Sequence, residues 1–195
     1  MPTTRLRHEL TTIGEQLSKA GVPHAMIGAM ALAFYGIPRY TADIDLLSDE
    51  LHRENLLIAM THMGYECYHH TDLFMQFDRT GGAPGRVDFL LVSTDEGRDI
   101  LNRSVTLNDE LIGRVPVVQP TDYAVLKLMA MANNKERTVH DTADLDQLIK
   151  ADALGLINDH FAPLDFMHIE KYARRFRLTS LFSSLRVKRN DPSAK

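Results

Sequence analysis

Two aspartates separated by one isoleucine, Asp43-Ile44-Asp45, interrupt the apolar run Ala42–Leu47 and constrain this chain more than any other feature. In extended backbone, side chains i and i+2 leave the same face. The pattern therefore predicts a strand over Asp43–Leu47, with both carboxylates on one face and Ile44 on the other. Carboxylates this close repel each other, and burying either without a partner is costly. A divalent cation relieves that repulsion, and hard oxygen ligands suit Mg²⁺.

Around this motif the chain alternates between helix and strand signals. Leu6, Leu10, Ile13 and Leu17 form the apolar stripe of a helix over residues 4–19, closed by Gly21. Val22–Ile27 reads as a strand, and Gly28 opens a helix that Gly36 and Pro38 terminate. Ser48-Asp49-Glu50 looks like an acidic helix start, with the helix running to about Met63. Tyr65–Asp78 holds strand material, most clearly Leu73–Phe77, and the turn-rich Arg79–Gly85 joins it to a strand over Arg86–Val92 as a hairpin. A helix over 95–103 and a short strand at Val115–Val118 follow.

From Pro120 the pattern turns helical. Helices are predicted over Tyr123–Ala132, Asp141–Lys150, Ala153–His160 and Phe166–Arg177, and the polar Ser183–Lys195 is expected to fray. The order of elements predicts an α+β core over residues 1–119 and a helical C-terminal subdomain over 120–195.

Two carboxylates leave a metal shell incomplete, and Asp88 is the best third ligand. It lies in the apolar run Val87–Val92, where Val87, Phe89 and Leu91 alternate onto the opposite face. If that strand lies beside the Asp43 strand, three carboxylates converge, enough for one or two Mg²⁺ ions completed by substrate phosphates. Gly28-Ala29 sits between a strand and a helix N-terminus, where backbone N–H groups and the helix dipole favour an anion such as a triphosphate. Arg39 and Thr41 precede the aspartates, placed to touch phosphate oxygens or to orient the carboxylates.

A formal net charge of −4 excludes a broadly basic nucleic-acid footprint, although Arg174, Arg175, Arg177, Arg186, Lys188 and Arg189 concentrate positive charge late in the chain. The single cysteine, Cys67, permits no intrachain disulfide, and no window has the length of a signal peptide core or a membrane span. A soluble cytoplasmic protein is expected.

Taken in order, Gly28-Ala29, Arg39-x-Thr41-x-Asp43-Ile44-Asp45 and Val87-Asp88-Phe89-Leu90 resemble the nucleotidyltransferase superfamily that shares the DNA polymerase β core. The Arg-x-Thr-x-Asp form is most similar to bacterial minimal nucleotidyltransferases, including the AbiEii-type toxins of toxin–antitoxin systems. Pro120–Ala130, with Lys127, and Arg137-Thr-Val-His-Asp141-Thr-Ala-Asp144 match that group's later helix pair, so the resemblance spans roughly residues 20–150. It implies the nucleotidyltransferase fold: a short mixed β-sheet flanked by helices, with the C-terminal helices completing a cleft. It also implies transfer of a nucleoside monophosphate from an NTP to an acceptor hydroxyl, with Mg²⁺ or Mn²⁺ as cofactor.

On that resemblance Asp43, Asp45 and Asp88 are the catalytic, metal-binding carboxylates. Gly28, Ala29, Arg39 and Thr41 surround the triphosphate, and Lys127 reaches nucleotide phosphate or base, positioned by Arg137 or Asp141. Two positions depart from the family: Ala29 stands where Ser or Gly is common, and His140 where Lys or Arg is common. The acceptor implied is tRNA or a protein, with a cognate antitoxin as partner. The alternatives are a small-molecule, antibiotic-like acceptor, or a non-catalytic member that binds nucleotide or a partner. Competing with these roles are plainer ones: Asp88 as a structural partner of Arg86 or Arg39, Lys127 as a solvated helix lysine, and Arg137, Asp141 and Asp144 as helical ion pairs.

Overall fold

The computed structural model describes residues 4–81 and 85–189. The chain clusters into two compact units: one holds the residues up to Val118 apart from Tyr35–Ile37, and the other holds Tyr35–Ile37 with the chain from Gln119 onward.

The first unit contains helix α1 (Thr4–Lys19), strand β1 (His24–Met26), helix α2 (Gly28–Phe34), strand β2 (Ile44–Asp49), a 3₁₀ turn (Glu50–His52) and helix α3 (Arg53–His62). Strands β3 (Tyr65–His70), β4 (Phe74–Arg79) and β5 (Val87–Val92) follow, then helix α4 (Asp95–Asn102) and strands β6 (Val105–Asp109) and β7 (Gly113–Val117). All seven strands join one sheet in the order β3-β4-β5-β2-β1-β7-β6. The pairs β2–β5 and β1–β7 are parallel and the rest antiparallel, so the sheet is mixed.

One sheet face is predominantly apolar. Ile44, Leu46, Val87, Phe89, Leu91, Met75 and Phe77 are buried there, and the Phe77 and Phe89 rings meet edge to face at 5.7 Å. The stripe Leu6, Leu10, Ile13 and Leu17 of α1 is buried as its spacing requires. A buried ion pair adds direction: Glu9 of α1 accepts a hydrogen bond from Arg79 Nη1 at 3.1 Å, tying α1 to the end of β4.

The second unit contains α5 (Pro120–Asn133), a 3₁₀ turn (Lys135–Arg137), α6 (Thr138–Ala153), α7 (Phe166–Arg175) and α8 (Thr179–Arg189). Tyr35 belongs to this unit's core: its ring meets Tyr123 at 5.8 Å and Phe161 at 4.8 Å, both edge to face, and its carbonyl accepts from Asn158 N at 3.0 Å. Complete burial holds the Tyr35 hydroxyl far from ionisation, its pKa raised well above the ordinary value.

Four expectations are corrected. The strand expected over Asp43–Leu47 begins at Ile44 and continues to Asp49, leaving Asp43 in the bend before it. The acidic helix start operates later than Ser48, because the Asp49 carboxylate accepts from Leu51 N at 3.1 Å and so caps the 3₁₀ turn. No helix covers Ala153–His160: α6 runs unbroken to Ala153 and stops where Gly155 adopts a left-handed φ of 63°, with Leu156 N bonded back to Ala151 O at 2.9 Å. Residues 183–189 do not fray but complete α8, whose Phe182 and Leu185 are buried. Residues 190–195, and residues 82–84 of the expected hairpin turn, lie outside the described residues.

Strand β6 carries a weak signal because it is an edge strand with one inward apolar side chain, Leu107. Among the described residues no helix is long and apolar enough to cross a membrane.

The burial of His24 has a measurable consequence. Its Nδ1 lies 3.0 Å from Val22 O, and its ring faces a cavity of about 20 Å³ lined largely by apolar side chains, among them Leu10, Ile13, Met26 and Leu46. Desolvation lowers its pKa below 6.5, outweighing the backbone hydrogen bond. The unfolded ring therefore takes up a proton that the folded ring resists. The mismatch leaves stability intact above about pH 7 and erodes it as pH falls through the unfolded value towards the folded one. Between about pH 7.5 and pH 5.5 the urea midpoint of the wild type should fall further than that of His24→Gln; equal falls would contradict the assignment.

Candidate functional site

Strands β2 and β5 lie side by side in the middle of the sheet, and their parallel register pairs Asp45 directly with Asp88. Neighbouring strands run about 4.8 Å apart, so the two carboxylates leave adjacent backbone positions on one face. The alternation that buries Val87, Phe89 and Leu91 beneath the sheet holds Asp88 on the other side, partly exposed. Ile44 and Leu46 do the same for Asp45.

Gly28 closes one edge of this arrangement. It follows β1, with Ile27 N donating to Asp45 O at 3.0 Å, and it turns into α2 with a φ of 63°. A Cβ at Gly28 would overlap the Asp45 carboxylate, standing 2.6 Å from Cγ and 2.7 Å from Cβ of Asp45. Glycine is thus required here for its backbone conformation and also for the approach of Asp45. Ala29 follows, partly buried, in the first turn of α2.

Asp88 is held from the far side by Gln76 of β4, its cross-strand partner, whose Nε2 donates to Asp88 Oδ2 at 3.1 Å. The other oxygen, Oδ1, is buried and has no hydrogen-bond partner among the described residues. Burial pushes the Asp88 pKa up; Asp43 and Asp78 push the same way, against the Gln76 hydrogen bond and the Arg86 charge. Asp43 is exposed in its bend, yet near enough to act electrostatically on Asp88. Thr41 shapes that bend: its hydroxyl donates to Asp43 O at 3.1 Å and accepts from Asp43 N at 3.2 Å. The Thr41 hydroxyl thus orients the Asp43 backbone, and Arg39 lies partly buried two residues before it.

The structure brings Asp45, Asp88 and Gly28 together and leaves Asp43 at the margin. Among the described residues no three His, Cys, Asp or Glu side chains form a cage for a metal ion by themselves. Mg²⁺ is typically bound through one or two carboxylates, with water and substrate phosphates completing its shell. A paired Asp45 and Asp88, with one buried acceptor oxygen still unmatched, fits that kind of ligation. Gln76 escaped the sequence reading, although the alternation Phe74-Gln76-Asp78 against buried Met75 and Phe77 places it on the Asp88 face.

The other expected residues form a network within the helical unit. Lys127 Nζ of α5 lies 2.7 Å from Asp141 Oδ1 and 2.7 Å from Asp144 Oδ2, both on α6, and 5.4 Å from the Tyr123 ring centroid. The lysine side chain is 13% exposed and the two aspartates 3%. Tyr123 OH adds a contact to Asp144 Oδ2 at 3.4 Å, and the exposed Arg137 Nε stands 3.6 Å from Asp141 Oδ2. Lys127 is therefore no solvated helix lysine: it is the counterion for two buried carboxylates, and Asp141 positions it. Asp144 shares that task equally, a role that its spacing from Asp141 alone did not reveal.

Two substitutions probe these contacts. Gly28→Ala should destabilise the fold by about 1–3 kcal/mol, the usual cost of a strained backbone position, before any cost of displacing Asp45. A urea midpoint unchanged from wild type would contradict the close approach. Lys127→Met leaves two buried carboxylates without their cation and should cost about 3–5 kcal/mol, against less than about 0.5 kcal/mol for a solvated lysine.

No family model matches the sequence, and no curated protein matches it. Solved structures do share its architecture. ANT(2")-Ia, in complex with adenylyl-2"-tobramycin, is similar with a TM-score of 0.56 over 95% of this chain and 99% of its own, at 13% identity. A candidate nucleotidyltransferase of Thermotoga maritima gives 0.54 over 74% of this chain and 96% of its own, at 15% identity. An antigenic nucleotidyltransferase-like protein from Paracoccidioides brasiliensis gives 0.53 over 93% and 92%, at 16% identity. At such identities the likeness is one of fold, and the chain is built on the nucleotidyltransferase fold.

Proposed function

We propose that the chain is a divalent-metal-dependent nucleotidyltransferase that moves a nucleoside monophosphate from an NTP to an acceptor hydroxyl. The observation that carries this reading is the register of Asp45 against Asp88, with the left-handed Gly28 turn pressed against Asp45. In this reading Asp45 and Asp88 hold Mg²⁺ or Mn²⁺, with Asp43 contributing from its bend. When bound, the ion neutralises charge on the transferring phosphate and lowers the acceptor's pKa.

The chain's own residues do the rest. Backbone amides at Gly28 and Ala29 receive the triphosphate, with Arg39 beside them. Gln76 fixes the Asp88 carboxylate by donating to Oδ2. The acceptor oxygen forms its bond to the α-phosphorus as the bond to pyrophosphate breaks, and its proton passes to the Asp88 carboxylate. Lys127, held by Asp141 and Asp144 with Arg137 outside them, binds nucleotide phosphate or base.

The resemblance to AbiEii-type toxins favours tRNA or a protein as acceptor, and with it a cognate antitoxin. The likeness to ANT(2")-Ia, solved with an adenylylated tobramycin, favours a small hydroxyl-bearing molecule instead. Incubation with each of the four NTPs, labelled at the α-phosphate, together with Mg²⁺, total RNA and cell lysate would show which nucleotide labels which acceptor.

Asp88→Asn tests the mechanism itself. Because the folded pKa of Asp88 is raised, ionised Asp88 weakens the fold once pH exceeds its unfolded value near 3.8, and a neutral side chain removes that cost at pH 7. The variant should label acceptor at least about 100-fold more slowly while melting no lower than wild type. Asp45→Ala should likewise lose both Mn²⁺ binding and transfer. Labelling at the wild-type rate by both variants would exclude the proposal.

A further inference from the structure

Residues 166–189 contain seven of the chain's 22 Lys and Arg and one of its 26 Asp and Glu, Glu170, although the chain as a whole is net negative at −4. Helix α7 arranges much of this charge around a row of rings. His168, Tyr172 and Phe176 recur every four residues, which places the first two on one face of α7 and the third at its C-cap, continuing the row. Their ring centroids stand 5.1 Å apart for His168–Tyr172 and 6.0 Å apart for Tyr172–Phe176, and all three rings are partly exposed. An adjoining face, Ile169 and Ala173, is fully buried, in a helix that packs on α5.

Cations flank the row. Lys171 Nζ lies 5.6 Å and Arg175 Cζ 5.9 Å from the centroid of Tyr172. The only carboxylate of the segment is already neutralised: Glu170 accepts from Arg174 at 2.8 Å and lies 3.6 Å from Arg186. Lys171 and Arg177 make no ion pair among the described residues. Arg177 stands in the left-handed turn that follows α7, with a φ of 59°.

This chemistry selects a polyanion that also offers flat rings. Single-stranded nucleic acid supplies both, a phosphate for each cation and a base face for each aromatic side chain. A duplex hides its base faces, and an acidic peptide has no use for a row of rings. We propose that the face of α7 formed by His168, Tyr172 and Phe176, with Lys171, Arg175 and Arg177, binds single-stranded nucleic acid. The site goes beyond the transferase reading, because it needs neither nucleotide nor metal to be tested.

The test uses the full chain and fluorescein-labelled oligo-U RNA of about twelve nucleotides, with oligo-dT of the same length as the DNA arm, read by anisotropy without NTP. Wild type should bind at low salt and weaken as salt rises, with a log–log slope near −2 for about three phosphate contacts. Tyr172→Ala should bind about tenfold more weakly, whereas Tyr172→Phe, which keeps the stacking ring, should bind as wild type does. Lys171→Ala with Arg175→Ala should reduce the slope by about one unit or more.

Asp88→Asn should bind oligonucleotide unchanged, which separates this site from the fate of the transferase proposal. Binding of both oligomers assigns the contact to backbone and stacking, and binding of RNA alone adds the 2′-hydroxyl; either supports the proposal. It is overturned if neither oligomer binds, if folded Tyr172→Ala binds as tightly as wild type, or if polyglutamate of equal charge binds as tightly as the oligonucleotides.

Discussion

The pairing of Asp45 with Asp88 on neighbouring parallel strands is the constraint around which the rest of the first unit is arranged. Two adjacent carboxylates oppose folding, and only a rigid frame holds them together. That frame is the apolar underside of the same strands, where Ile44, Val87 and Phe89 are fully buried and Phe77 of β4 meets Phe89 edge to face. The period-two alternation that builds the core is therefore the same alternation that exposes the acids. A slip of one residue in either strand would carry a carboxylate into the core, so the register is strongly specified. Gly28 adds a second condition, since a side chain there would collide with Asp45.

Much of this was legible in the sequence because the signals were short-range and periodic. Asp88 stood out as a charge in an apolar strand, and its alternation with Val87, Phe89 and Leu91 holds in the structure. Asp43 illustrates the opposite case. Its spacing from Asp45 fits a strand face, but Thr41 bonds both the amide and the carbonyl of Asp43 and leaves it in a bend, so its partner geometry is set by a local turn. The missed residue Gln76 belongs to a strand whose pairing with β5 only the sheet reveals. The helix expected over Ala153–His160 failed for a related reason: Gly155 ends α6 in a left-handed turn, a stop signal that lay inside the apolar pattern.

The helical unit solves a charge problem of the opposite kind. Asp141 and Asp144 are as buried as core residues, and Lys127 is placed between them at equal distance. Sequence spacing invites a reading of ion pairs within one helix, Arg137 with Asp141. The structure gives the dominant pair to a lysine on the preceding helix, because burial rewards the partner that can be dehydrated together with the acids. Arg137 remains exposed at 3.6 Å and contributes from outside. A lysine so enclosed loses the freedom of a surface side chain, and its ammonium gains a defined position between the two acids.

The two charge arrangements differ in what they demand of the surrounding chain. Asp88 keeps a buried oxygen without a hydrogen-bond partner, a standing cost that a purely structural strand has no reason to carry. Just past α7 the cost is smaller and of another kind, a non-glycine residue, Arg177, in left-handed backbone. In both places the chain departs from the locally cheapest choice, glycine at position 177 or an apolar residue at position 88, while its neighbours obey packing rules. Such departures are where function is expected to outweigh stability.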